Sequence, residues 1–267
     1  MKASRILLCL TPLAALLAAG SAFATDGYFP IGYGMKAMGM GGASVALSDD
    51  AFAGANNPAA AAWAGNRVEG GLSAFMPKRG MSRSGGMVDA AVDSDSNLFL
   101  VPEIGFNKAV NDKLGVGITV YGNGGMNTNY DGGQLNCGQG PANVLCGSGR
   151  LGMDLMQLIV APTVAYKVND QHSFGISPLL VYQQFKAFGL QAFSPMSQDP
   201  SHLTDQGYSH STGAGVRLGY MGKLSDSVSV GASYSPKIKM GKFDKYAGLF
   251  AGGGSFDIPE NYALGLG

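Results

Sequence analysis

The residues that could do chemistry are few. Cys137 and Cys146 sit in a Gly/Asn/Pro-rich stretch. In an exported chain such a pair forms a local disulfide. Zinc is the weaker reading, because no His or further Cys lies nearby at ligand spacing. Asp93-x-Asp95-x-Asn97 has the opening of a calcium loop, but Leu98 and Ile104 stand where the loop needs Gly and Glu. That excludes an EF-hand and leaves only a loose surface calcium site. His172, His202 and His210 show no metal spacing. His210-Ser211 would suit a lipid hydrolase, but the sequence places no orienting acid, so a satisfied or solvent-facing histidine is the plainer reading. The glycines around Gly39 do not complete a G-x-G-x-x-G fingerprint and follow no buried strand, so a nucleotide site is not expected. Neither catalysis nor a cofactor is expected. What remains is charge: Arg217 and Lys237 fall on a face otherwise small and polar, where a cation would meet a carboxylate or pair with an acid such as Glu69 or Glu103.

The elements that must position these residues are strands. Of 267 residues, 42 are Gly and 13% are charged, about half the usual ~25% charged content of soluble domains. Gly costs about 1 kcal/mol per helix position relative to Ala, so the composition disfavours helix. With 46% hydrophobic residues, 11 Tyr and 13 Phe, the chain is not disordered either. Lys+Arg and Asp+Glu are both 18, which gives no basic excess for a nucleic-acid partner.

Residues 1–24 read as an export signal. Lys2 and Arg5 precede an apolar run from Ile6 to Ala19, and Ala22-Phe23-Ala24 forms an A-x-A site, so cleavage is expected after Ala24. The alternative is a retained anchor, for which the run is short. Cys9 lies too early in it to be a lipidation site. After Ala24 no apolar run is long enough for a spanning helix, leaving a secreted soluble fold or a membrane β-barrel.

Three turns, at Asn111-Asp112, Asn169-Asp170 and Ser225-Asp226, recur 58 and 56 positions apart. Alternating segments enter and leave each, the mark of tight hairpins. Val228, Val230, Ala232, Tyr234 and Ile238 share one face, and Ser229, Gly231, Ser233, Ser235 and Lys237 the other. Likewise Leu158, Val160, Val164 and Tyr166 oppose Gln157 and Thr163, and Val216, Leu218 and Tyr220 oppose Arg217. Long connections, 123–150, 190–209 and 241–254, alternate with the short turns. Short turns at one rim and long loops at the other suit an outer-membrane barrel better than a soluble sandwich. Eight strands are expected, at about 66–77, 96–109, 113–123, 151–168, 171–188, 210–224, 227–240 and 255–267. An eight-stranded barrel could close. The ending Ala263-Leu264-Gly265-Leu266-Gly267 lacks a terminal aromatic and falls in mid-strand, so a C-terminally truncated piece of a larger barrel is expected.

Residues 25–65 lack strand alternation and carry Gly39-Met40-Gly41-Gly42-Ala43, Ala46-Leu47-Ser48-Asp49-Asp50-Ala51 and Asn57-Pro58-Ala59, ahead of a first strand ending Phe75-Met76-Pro77. With Val160-Ala161-Pro162-Thr163 and Gly231-Ala232-Ser233-Tyr234-Ser235-Pro236-Lys237, these resemble the outer-membrane hydrophobic-compound transporter family, the long-chain fatty acid (FadL-like) and toluene/xylene uptake proteins. The resemblance implies an all-β transmembrane antiparallel barrel, monomeric, with about eight of its fourteen strands in residues 66–267 and residues 25–65 folded inside as a hatch. It implies that Asn57, Pro58 and Ala59 lie in the hatch against a kink in the third strand, through which an apolar substrate leaves sideways into the bilayer. Gly122, Gly124 and Gly125 suit such a break, or else an ordinary entrance to a loop. Phe29, Tyr33, Met35, Met38 and Met40 would give an adaptable apolar lining, or else pack the hatch against the wall. The expected function is passive passage of hydrophobic compounds, fatty acids or alkylbenzenes, through the lipopolysaccharide-covered outer membrane. The alternative is a structural or adhesive barrel that binds partners through its long loops.

Overall fold

The computed structural model describes residues 28–85, 89–133, 135–138 and 140–267. The expected export signal, residues 1–24, lies outside them. Eight wall strands follow one another: β1 (Arg67–Phe75), β2 (Phe99–Ala109), β3 (Leu114–Tyr130), β4 (Leu151–Lys167), β5 (His172–Phe188), β6 (Ser209–Ser225), β7 (Val228–Ser235) and β8 (Asn261–Leu266). Each pairs antiparallel with the next in sequence order, giving an up-and-down half-barrel.

The repeated turns have a shared chemistry. Asn111 Oδ1 accepts from the N–H groups of Lys113 and Leu114, each at 2.9 Å, and Asn169 Oδ1 from those of Gln171 and His172 at 2.9 and 2.8 Å. Ser225 Oγ accepts from Ser227 N–H at 3.3 Å. A side chain that caps its own turn fixes where the strand reverses.

Alternation sorts the faces as expected. On β5, Phe174, Ile176, Leu180 and Tyr182 are exposed, while Ser173, Ser177, Leu179, Val181 and Gln183 are buried. Val68, Leu72, Leu100, Ile104, Leu158, Val164 and Leu218 continue the exposed apolar face. Leu264 is 80% exposed. An apolar band this continuous belongs against lipid.

The other face is covered by residues 28–65. Here the wall lacks side chains where the covering segment comes close. A methyl group on Gly115 would collide with the Ala61 carbonyl, on Gly175 with Pro58, on Gly219 with Asn57 and on Gly231 with the Val45 carbonyl. The short 3-10 helix Pro58–Ala62 is thus laid directly on the sheet, with all five residues buried.

Three expected boundaries differ. β3 runs to Tyr130, because its second half stays paired with β4 as far as Tyr130↔Leu151. β7 ends at Ser235, where Pro236 has no N–H to continue a ladder. The chain changes face there, so Ile238, expected beside Tyr234 on the outside, is buried inside and bridged to Ile258. β8 is correspondingly short.

Candidate functional site

The covering segment is held to the wall in two layers. Near the short turns, Asn57 Nδ2 donates to the carbonyls of Val45 (2.7 Å) and Tyr220 (2.9 Å), and its Oδ1 caps the 3-10 helix at Ala59 N–H (3.1 Å). Asn107 Nδ2 donates to Ala61 O (3.1 Å) and Gly65 O (2.7 Å). Trp63 donates to Ser173 Oγ at 2.7 Å, and its ring lies between the ammonium groups of Lys167 (4.1 Å) and Lys223 (4.4 Å). Asn57, Pro58 and Ala59 therefore rest on β5 and β6, beside Gly175 and Gly219, and not on the third-strand break expected for them. The physical reason is room: those two glycines leave the space that a proline-led helix turn needs.

Towards the long loops a band of amides crosses the wall. Tyr33 Oη donates to Asn123 Oδ1 (3.0 Å), Asn123 Nδ2 to Gln157 Oε1 (3.1 Å), Gln157 Nε2 to Gln183 Oε1 (2.8 Å), and Gln183 Nε2 to Ser211 Oγ (2.9 Å). Gln157 Nε2 also donates to Tyr28 Oη. Burial pushes the Tyr28 phenol up to about 12 and raises that of Tyr33, so both remain neutral hydroxyls. Below the band, the Tyr33 ring packs on Tyr121 at 4.4 Å, amid Ile159, Leu179 and Ile238.

Phe29, Tyr33 and Arg217 line one cavity of about 260 Å³ with Asn56, Ser233 and Tyr262. Arg217 is buried, and its Nη1 donates to the carbonyls of Ala55 and Gly54 and to Tyr121 Oη. It forms no ion pair among the described residues. Glu69 and Glu103, weighed as its partners, instead accept from the N–H groups of Ala51 (3.1 Å) and Gly34 (2.9 Å). Lys237 points away and pairs with Asp257 at 2.8 Å, which holds that carboxyl below the usual range. Met35, Met38 and Met40 do not join the cavity: only Ala37 of the helix α1 (Met35–Gly39) is buried, and the methionines project from its other side. His210 is exposed on the outer face against Tyr182 Oη at 2.6 Å, away from any reacting pair. Cys137 and Cys146 form the expected disulfide.

A second group of residues was missed. Phe243, Tyr246 and Phe250 fold in from the segment after β7 and pack on Phe185, with Phe256 against Phe250. Ring centroids step from Phe185 to Phe250 (5.0 Å), Phe256 (5.6 Å), Tyr28 (6.2 Å) and Phe29 (5.2 Å), from the long loops to the cavity. The signal was aromatic density within a long loop, which alternation does not register. The amide band had one too: Asn123, Gln157 and Gln183 are inward amides at matching heights on neighbouring strands.

The wall has a long break between β2 and β3. β2 and β3 are paired only from Ala109↔Gly115 to Ile104↔Val120. Beyond that, β2 stays paired with β1 to Phe75↔Phe99 and β3 with β4 to Tyr130↔Leu151. Two positions beyond the last pair, the same register would set Pro102 against Gly122, and proline cannot donate. A bulge then inserts Asn123, since Gly122 faces Leu158 and Gly124 faces Gln157. The two edges meet again at the Ser94↔Tyr130 bridge, where Asp95 N–H donates to Asn129 O at 2.9 Å. Gly122 and Gly124 thus flank a bulge bordering the break, and Gly125 follows in regular register, within a strand that runs on. By contrast, where Pro162 faces Pro178 the β4–β5 ladder lapses only between Val160↔Leu180 and Val164↔Ile176, with Thr163 and Ser177 hydroxyls 2.7 Å apart across it.

A model of the family described as outer membrane protein transport protein (OMPP1/FadL/TodX) matches residues 13–256. The chain belongs to this family. Its fold is that of solved relatives: the toluene transporter TodX of P. putida (TM-score 0.65, 20% identity, 88% of this chain and 66% of that one) and the toluene transporter TbuX of Ralstonia pickettii (0.62, 19%, 88% and 67%). A Pseudomonas aeruginosa FadL homologue is similar over 74% of this chain and 49% of that one (0.52, 15%). No curated protein sequence matches the chain. The chain spans about two thirds of the length of the toluene transporters. Membership makes it an outer-membrane β-barrel protein, with the exposed apolar band in the bilayer.

Proposed function

We propose that the protein carries hydrophobic compounds passively across the outer membrane, with residues 25–65 as a hatch and release sideways into the bilayer. The observation that carries this reading is the break between β2 and β3 beside the N-terminal segment. A water-filled pore serves an insoluble compound poorly. A row of aromatic rings leading to a small cavity, whose lining residue Tyr33 reaches Asn123 at the wall break, serves it well. The substrate enters under the long loops at Phe250 and Phe256, passes Tyr28 and Phe29, and reaches Tyr33 and Arg217.

Arg217 supports an amphipathic substrate. A buried guanidinium with no ion-pair partner among the described residues favours an anion, so a carboxylated aliphatic or aromatic compound suits it better than a neutral hydrocarbon. The test is uptake by cells that rely on this protein. Arg217→Met is expected to weaken uptake of a long-chain fatty acid about tenfold, an effect of one charge-assisted contact, and to leave toluene uptake within twofold. Equal losses for both would remove the carboxylate preference. Fatty acid and toluene uptake no higher than in cells lacking the protein would remove the transport reading.

A further inference from the structure

The two edges of the wall break are tied together from inside by two consecutive residues. Tyr33 Oη donates to Asn123 Oδ1 on the β3 edge at 3.0 Å. Gly34 N–H donates to Glu103 Oε2 on the β2 edge at 2.9 Å. Glu103 has room because Gly71 opposite it carries no side chain. Gly34 takes φ 89, a conformation natural to glycine, and a Cβ there would strike the Phe52 ring. Across the break Val101 stands near the other edge: its Cγ1 would lie 3.0 Å from a Cβ on Gly122. Glu103 Oε1 is buried without a partner among the described residues. Such an oxygen makes the docked arrangement less favourable than a fully paired one.

We infer that Tyr33-Gly34 is a clasp, with Glu103 and Asn123 as positioning residues that hold the β2 and β3 edges closed around Val101. This rests on the sideways release proposed above and adds its control: the edges part when the dipeptide lets go of either side. Each edge is held by one hydrogen bond, with the Tyr33 ring also packed on Tyr121 of β3, so the clasp opens by losing these contacts and no wall pairing. The lower layer at Asn57 stays in place.

The experiment is performed on the whole protein in outer-membrane vesicles. Val101→Cys is labelled with a bilayer-soluble pyrene maleimide; Cys137 and Cys146 are joined to each other and do not compete, and Cys9 lies in the expected export signal. Glu103→Ala, Asn123→Ala and Tyr33→Phe are each expected to raise the labelling rate about fivefold, the effect of one lost hydrogen bond. Glu103→Gln keeps an acceptor for Gly34 and is expected to stay within twofold. Unchanged labelling in Tyr33→Phe, which loses only a hydroxyl, would overturn the clasp, as would Glu103→Gln behaving like Glu103→Ala. Were uptake to continue with the edges covalently joined, sideways release would fail while a fivefold labelling response still upheld the clasp.

Discussion

The interior near the short turns and the interior near the long loops are built on opposite plans. Near the turns, backbone lies on backbone: Gly115, Gly175, Gly219 and Gly231 admit the carbonyls and prolyl ring of the covering segment, and Ala59, Ala60, Ala61 and Ala165 fill what is left. Near the loops, space is filled by large rings and by amides that bond in series. Small residues at close approach leave no alternative packing, because interiors are dense and adding volume forces shifts. Rings and amides on longer side chains have other rotamers and partners. The difference teaches that the lower interior is fixed and the upper interior adaptable, which suits a seal below and a passage above in the proposed carrier, and that the wall break lies on the adaptable side.

The strongest way to break this contrast is to overfill the seal. Gly219→Val would press on Asn57 and Pro58 and is expected to destabilise the folded barrel by about 3 kcal/mol, measured as a lower denaturant midpoint in detergent. The same added volume at Gly124, whose nearest neighbour would be the Tyr28 carbonyl at 3.3 Å, is expected to cost about a third as much. Equal costs would erase the distinction. Next in size, Phe250→Ala is expected to weaken binding of an apolar fluorescent fatty acid about fivefold while moving the midpoint little, since Phe250 is only partly buried against its cluster. A large loss of stability would make the ring a structural core residue and not part of a passage.

The smallest effect is one of pH. Lys237 and a backbone N–H from Met240 at 2.9 Å hold the Asp257 carboxyl below its unfolded value. A depressed carboxylate contributes stability above the unfolded pKa of about 4 and loses it as pH falls through the folded one. The pair is partly exposed, so about 0.5 kcal/mol is expected. The inward fold of residues 236–260 should therefore loosen only below about pH 4, read as a change in fluorescence of a label attached at Gly253→Cys. Asp257→Asn should remove the step.

Much of the wall was legible in the sequence because period two reports which face a residue takes, and Asn111, Asn169 and Ser225 report where the chain turns. The interior was less so. Pro236 reverses the parity of the residues after it, and Ile238 went astray for that reason. The methionines of α1 looked like lining, but a helix of five residues has one buried face, and Ala37 occupies it. Alternation with Leu218 and Tyr220 turned Arg217 inward, and there it lines a cavity with Tyr33. Glu103 was weighed only as an ion-pair partner, since nothing local tells that its acceptor oxygen meets a backbone N–H many residues upstream. Pro102 and the Gly122–Gly125 run were both visible, but the break they produce required knowing that they face each other.

The proposed carrier role depends most directly on the β2–β3 break as an exit. Val101→Cys with Gly122→Cys places two thiols on its opposing edges, and oxidation joins them. Uptake of a long-chain fatty acid into cells is predicted to fall to background in the oxidised protein and to return on reduction, with surface expression unchanged. Uptake at the full rate through the joined protein would contradict the account.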